Sequence, residues 1–319
     1  MKTMTAKIPK NKLEKRNKRK LVWKRIKKYK ILYLFLLPAI TFYFVFGYIP
    51  MYGVTLAFKD FRFDTGILMS PWVGLKYVKK FFDYFQFELL IRNSFVISFL
   101  KLIIGFPAPI ILALMLNEVR INKFKRVIQT VTYLPYFVSW VVVATIFSKF
   151  LSPHQGLFND LRMAMGEEPI FFLGFAKWFY IVIISSDIWK NIGFNSIIYL
   201  AALSSIDPML YEASAIDGAG KWKRLIHITL PAIMPTVGIL FILSMSGLLK
   251  AGYEQIILFQ QPPTIPVSEV LETYSVKVGL QQGQYSYATV VGLFQSIVSL
   301  ILIVVTNKIA KKVSNTSLW

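Results

Sequence analysis

The stretch Asp207–Pro231, DPMLYEASAIDGAGKWKRLIHITLP, decides how the chain is read. Asp207 can cap a helix whose first position is Pro208, because a carboxylate accepts from the free N–H groups of a first turn and proline has no N–H to leave unpaired there. Gly218 can end that helix, since glycine takes the left-handed turn beyond a helix without steric cost. The spacing predicts a short helix over Pro208–Asp217 and a second one running from Lys221 towards Pro231. Ala213, Ser214 and Ala215 keep the first helix slim enough to enter a groove on another protein, and Glu212 and Asp217 give it charge. A helix lying passively on a bilayer surface is the other reading, with which Met209, Leu210 and Ile216 agree.

Outward from this stretch the chain is apolar on a membrane scale. Of its 319 residues 55% are hydrophobic, 16% aromatic and only 17% charged, which is more apolar surface than one soluble core can hide. Six runs are long and apolar enough to cross roughly 30 Å of hydrocarbon as helices. They are Ile31–Leu56, Asn93–Leu116, Val127–Ser148, Trp178–Leu203, Leu230–Leu249 and Tyr285–Asn307. Helices are expected because lipid satisfies no exposed backbone group, and the short alternating strands of a membrane barrel are missing. Pro38, Pro107, Pro109 and Pro135 predict kinks or breaks within the spans.

The net charge of +21 is gathered at the N-terminus rather than spread over a surface. With that end inside, the inner segments 1–30, 117–126, 204–229 and 308–319 hold 24 Lys and Arg, against 11 in the outer segments. This bias predicts both termini in the cytoplasm, as an even number of spans requires. The organisation read from the sequence is a basic cytoplasmic tail (1–30), a six-span transmembrane domain (31–307) that includes a cytoplasmic loop at 204–229, and a short cytoplasmic tail (308–319). The basic tail accompanies no aromatic-bearing module, so nucleic acid is not an expected partner.

With no cysteine and two distant histidines, His154 and His227, neither a thiolate nucleophile nor a metal site is expected. No G-x-x-x-x-G-K-[ST] phosphate cradle occurs, so any nucleotide chemistry belongs to another chain. An enzyme acting on lipid-linked sugar would need catalytic acids at an interface; Asp60, Asp64, Glu167 and Glu168 lie on outer loops but lack a partner motif, and solvated loop charge accounts for them better. A stand-alone carrier or channel that works without ATP is a further alternative, although it leaves the patterned inner loop unexplained.

The run Glu212-Ala213-Ser214, three residues, Gly218, nine residues, Ile228, one residue, Leu230-Pro231 resembles the EAA signature of binding-protein-dependent ATP-binding-cassette (ABC) importer permeases. Ser214 stands where the family usually has a second alanine, and Leu225 where the sugar branch often has phenylalanine. Asp217-Gly218-Ala219, Pro235, Asn93-Ser94, Leu112–Val119 and Thr132–Tyr136 look like the sugar permeases related to the maltose importer. Gly252–Gln255 and Glu272–Tyr274 look like a subgroup for polysaccharide and complex oligosaccharide uptake. The resemblance implies an all-α, type I ABC importer permease fold in the plasma membrane of a bacterial cell. It also implies a carbohydrate cargo, a second homologous permease, an extracytoplasmic solute-binding protein and a cytoplasmic ATPase dimer. The permease carries no cofactor of its own, ATP and Mg being bound by the ATPase. Carried over residue by residue, Glu212, Ala213, Ser214, Asp217, Gly218 and Ala219 become the ATPase-coupling residues.

Ionisable groups within a bilayer usually face a cavity or a partner. That makes Lys101, Asp187, Lys190, Asn191 and Asn195 candidates for a substrate path, with Tyr253, Glu254 and Gln255 at its outer mouth. Asp187 and Lys190, three apart on a helix, are also expected to neutralise each other. Tyr136 and Trp140 are expected to pack.

Overall fold

The computed structural model describes residues 23–25 and 27–314. Residues 1–22 and 26 of the expected basic tail, and 315–319 at the other end, lie outside the described residues. Apart from one isolated bridge between Lys59 and Trp72, the regular structure described is helical. The chain divides into two compact units at Thr55 and Leu56.

The first unit is built on α1, Lys30–Tyr43, which continues through a wide turn at Phe44–Tyr48 to Met51. None of these residues is buried, although nearly all are apolar. A helix apolar on every side is stable only against lipid or another apolar surface.

In the second unit, α2 (Phe87–Leu100) and α3 (Pro107–Glu118) are joined by a wide turn at Lys101–Gly105 into one 32-residue stretch. Helix α4 (Asn122–Tyr133) leads to α5 (Trp140–Phe150), and α6 runs over Ala176–Ser204. The short helices α7 (Pro208–Ile216) and α8 (Lys221–Arg224) precede α9 (Leu230–Met245). Helices α10 (Tyr253–Phe259) and α11 (Leu271–Val276) lead to α12 (Tyr285–Ser314). Three apolar clusters join them. Ala113, Tyr199, Leu203 and Ile233 tie α3, α6 and α9; Ile97, Ala144, Ile183 and Ile256 tie α2, α5, α6 and α10; Leu90, Leu271, Tyr287 and Val291 tie α2, α11 and α12.

Among the described residues four helices are long and apolar enough to cross a membrane: Lys30–Phe58, Phe87–Glu118, Lys221–Met245 and Tyr285–Lys312. The pair Asn122–Phe137 and Trp140–Phe150 makes a fifth if taken as one broken span. Helix α6 has 29 residues, enough to cross, but Asp187, Lys190 and its amides reduce its apolar character.

The break expected at Pro135 is present: the two halves of the third run meet at 105°. Pro135 cannot donate a backbone hydrogen bond, and the Ser139 side chain accepts from the Val142 N–H to start a new helix, so the break has a cause at each end. Two expectations need correction. The helix expected from Lys221 opens into a wide turn at Leu225–Thr229 before α9. Pro231 explains this, because its ring crowds the carbonyl four residues earlier and its missing N–H leaves that carbonyl unpaired. The wide turns at Phe44–Tyr48 and Lys101–Gly105 likewise sit just before Pro50 and Pro107. Finally, α12 does not stop at Asn307 but continues to Ser314, with Lys311 and Lys312 in its last turn, where cations favour the helix end.

Candidate functional site

Helix α7 is closed at both ends as its residues dictate. The Asp207 carboxylate accepts from the Met209 N–H at 2.9 Å. Gly218 adopts φ +71°, its N–H donates to the Ala215 carbonyl (3.1 Å), and the Ala219 N–H donates to the Ser214 carbonyl (2.9 Å). These two bonds form the paired closure that a left-handed residue makes possible at a helix end.

One further bond fixes this helix to the base of α9, and another ties the turn that closes it to α8. The hydroxyls of Tyr211 and Thr229 lie 2.9 Å apart, and the Arg224 Nε donates to the Ala219 carbonyl at 2.8 Å. Lys221 meets Glu118 at the end of α3, 3.6 Å away and exposed. Ser214 turns inward, its hydroxyl donating to the Tyr211 carbonyl, whereas Glu212, Ala213, Asp217 and Gly218 are exposed. Ile216 and Trp222 are 88% and 76% exposed, and Met209 and Leu210 are exposed beside them. The loop is therefore rigid on its inner side and presents an apolar surface with carboxylates on its outer side. Apolar exposure of this kind marks a site for another surface.

On another part of the second unit, the α2–α3 turn, α6 and α9 enclose a cavity of about 490 Å³. Lys101, Asp187 and Asn195 line it, with Ser98, Tyr199, Ser244 and Lys250. The Lys101 ammonium lies 3.6 Å from Asp187 Oδ1 and donates to the Ala251 carbonyl (2.7 Å) and to the Gln255 side chain. Gln255 is buried and donates its own amide to the Ile183 carbonyl (2.7 Å) and Ser186 Oγ (2.8 Å). The amide of Asn191 reaches Asp187 at 3.2 Å. Lys101 and Asp187 on the cavity wall thus form one network with Asn191 and Gln255, which do not line the cavity.

Lys190 does not neutralise Asp187. Its ammonium donates instead to the carbonyls of Tyr136 (2.9 Å), Pro135 (3.5 Å) and Val138, and it lies over the rings of Trp140 (5.4 Å) and Tyr136 (5.7 Å). The broken third run offers several fixed carbonyls to a group with three donors, more than one carboxylate on the same helix provides. Tyr136 stacks on Phe194 at 3.8 Å, so it packs as expected. Tyr253 is half-buried and Glu254 exposed at the start of α10, and neither lines the cavity. Lys250 and Ser244 were missed by the sequence reading; the only available signal was their place at the end of an apolar run. Among the described residues no three His, Asp or Glu side chains converge as a metal site would require.

A family model described as "binding-protein-dependent transport system inner membrane component" matches residues 105–315, which include α7 and the cavity's α6 and α9 walls. The chain belongs to this family. This inner membrane component is 42% identical over 305 residues to the polygalacturonan/rhamnogalacturonan transport system permease protein YteP of Bacillus subtilis (strain 168), covering 96% of this chain and 95% of that one. It is 44% identical over 294 residues to protein LplB of the same organism, covering 92% of each. Its fold matches a membrane chain in the crystal structure of a bacterial ABC transporter involved in the import of the acidic polysaccharide alginate. The TM-score is 0.84 at 40% identity, covering 92% of this chain and 99% of that chain. A second structure of the alginate transporter, in complex with an alginate pentasaccharide-bound periplasmic protein, matches with the same score. The family is a transport component of the membrane, so the enzyme alternative is set aside.

Proposed function

We propose that this inner membrane component is one permease of an ABC importer that moves an oligosaccharide inward, driven by ATP on partner chains. Six spans are proposed, with α6 as the fourth and the broken α4–α5 pair as the third. Both termini lie in the cytoplasm, which leaves 1–30 and 308–319 as tails around a membrane domain at 31–307. A second permease, an ATPase dimer that binds ATP and Mg, and an extracytoplasmic solute-binding protein complete the machine.

The observation that carries this reading is the rigidly closed helix α7, which is tied to α9 yet exposes Glu212, Ala213, Asp217 and Gly218 together with Ile216. A short stiff lever of this kind suits the conversion of a partner's closure into tilting of the attached spans, an equilibrium between two packings biased by ligands. Ser214 and Ala219 hold the lever's shape, and the exposed residues meet the ATPase. Lys101, Asp187, Asn191 and Asn195 border the path, Gln255 positions Lys101, and Lys190 clamps the break in the third span. Tyr253 and Glu254 belong to the outer mouth. The two lysines on the cavity wall, set against one aspartate, favour a cargo that carries carboxylates, in keeping with the polyuronates named for the relatives.

The test is reconstitution of the four kinds of chain in liposomes. Uptake of trigalacturonate should require ATP, the binding protein and an intact α7. Equal uptake without ATP would return the protein to the carrier or channel class.

A further inference from the structure

Away from the cavity, the segments expected on the outer side enclose a second hollow of about 580 Å³, within the range of pockets that hold small ligands. It shares no lining residue with the first. Its floor is fixed: Tyr274 and Tyr287 are buried with their hydroxyls 3.2 Å apart, and Tyr84 stacks on Tyr274 at 4.9 Å. Its rim is polar. Lys80 lies over the Tyr287 ring at 4.8 Å and donates to Gln284 Oε1 at 2.9 Å, while Gln284 donates to Gln282 Oε1 at 3.2 Å. Beside Tyr84, Phe85 is 84% exposed.

Packing accounts for the buried tyrosines but gives no reason for an exposed aromatic next to a rim of amides, one ammonium and the Asp83 carboxylate. That combination matches a sugar ring, which has an apolar C–H face and an edge of hydroxyls. We propose that this hollow is a saccharide subsite on the outer face: one sugar unit stacks on Phe85 and Tyr84 while Lys80, Gln282 and Gln284 bind its hydroxyls or carboxylate. The inference rests on the carbohydrate reading above and deepens it. A chain released by the binding protein is held at a point separate from the cavity, so a long cargo is gripped twice.

The test uses the complete reconstituted transporter and trigalacturonate. Lys80 and Phe85 are exposed, and the assembly and basal ATPase activity of Lys80→Ala/Phe85→Ala are measured beside the wild type so that loss of fold is separated from loss of binding. The double variant is expected to raise KM for uptake about three- to tenfold with kcat within about twofold, and to reduce saturation transfer to the sugar's ring protons by a similar factor. An unchanged KM and undiminished saturation transfer would overturn the subsite alone, leaving ATP-driven uptake standing. A rise in KM accompanied by weaker binding-protein affinity and unaltered saturation transfer would also overturn it, assigning the hollow to a protein contact. Absence of ATP-driven uptake by the wild type would overturn the carbohydrate reading together with the subsite built on it.

Discussion

Replacing Lys101 by Met removes one cation from the cavity wall while keeping an unbranched stem of similar reach. The ammonium stands 3.6 Å from Asp187, with the two side chains 16% and 24% exposed. At that distance two charges attract by about 4–5 kcal/mol at an effective dielectric near 20, and by about 1 kcal/mol in bulk water. Partial desolvation of both groups offsets much of the larger figure. The variant also strips a charged donor from the Ala251 carbonyl and from Gln255, at about 1–3 kcal/mol for each acceptor left dry. We expect Lys101→Met to cost about 2–4 kcal/mol, and Asp187→Asn less because Asn191 still reaches that position. The double variant should recover about 1–2 kcal/mol relative to the sum of the singles. Thermal unfolding of the purified transporter reads this as a non-additivity of a few °C at most, since roughly 2–4 °C per kcal/mol applies to about 150–250 residues and the shift shrinks with size. Additive singles, within about 0.5 kcal/mol, would show that Lys101 and Asp187 do not act as a pair.

Three other perturbations follow from the same geometry. A Cβ at Gly193 would lie 2.1 Å from the Thr132 carbonyl oxygen, a backbone atom that cannot step aside, so Gly193→Ala should destabilise the α4–α6 contact by about 1–3 kcal/mol or more; a wild-type melting temperature would contradict the close approach. Tyr211→Phe removes one hydrogen bond of about 1 kcal/mol between α7 and α9. It should leave assembly intact but lower uptake per ATP hydrolysed, and an unchanged ratio would deny the bond a part in coupling. The Tyr77 phenol is pushed up to about 12 by burial and by its hydrogen bond to Asp60. The unfolded chain titrates near 10, so the stability this phenol confers is whole below about pH 10 and is lost as pH rises towards 12. Tyr77→Phe should flatten that arm of the melting profile, and an identical slope would refute the assignment.

Most of the architecture was legible because the signals were local. Asp207, Pro208 and Gly218 specify the ends of α7 by capping chemistry, and the observed closure follows it. The apolar runs likewise mark helices, since lipid leaves the backbone no other solution. The choice of ion-pair partners was not legible. Asp187 and Lys190 share a helix, yet each finds its partner elsewhere, Lys101 in one case and the carbonyls of a broken span in the other. Those acceptors exist because the third run bends by 105° at Pro135 and Ser139; Pro135 foretells a break, but neither its angle nor the carbonyls it turns towards Lys190 follow from a local signal. Asn93 and Ser94 looked like a family mark without a task. They prove to hold the outer segment, the Asn93 amide donating to the carbonyls of Pro266 and Glu269 and Ser94 Oγ accepting from the Leu271 N–H.

The coupling role of α7 requires that it meet a cytoplasmic motor, and the chain's lack of cysteine makes that contact directly measurable. Single cysteines at Ala213 and Ile216, both exposed, would be oxidised against a scan of cysteines on the ATPase in intact membranes. Crosslinks whose yield changes when ATP is added, with no labelling by a membrane-impermeant thiol reagent from outside, are the predicted result. Labelling from the outer face, or no crosslink from either position to any ATPase cysteine, would contradict it.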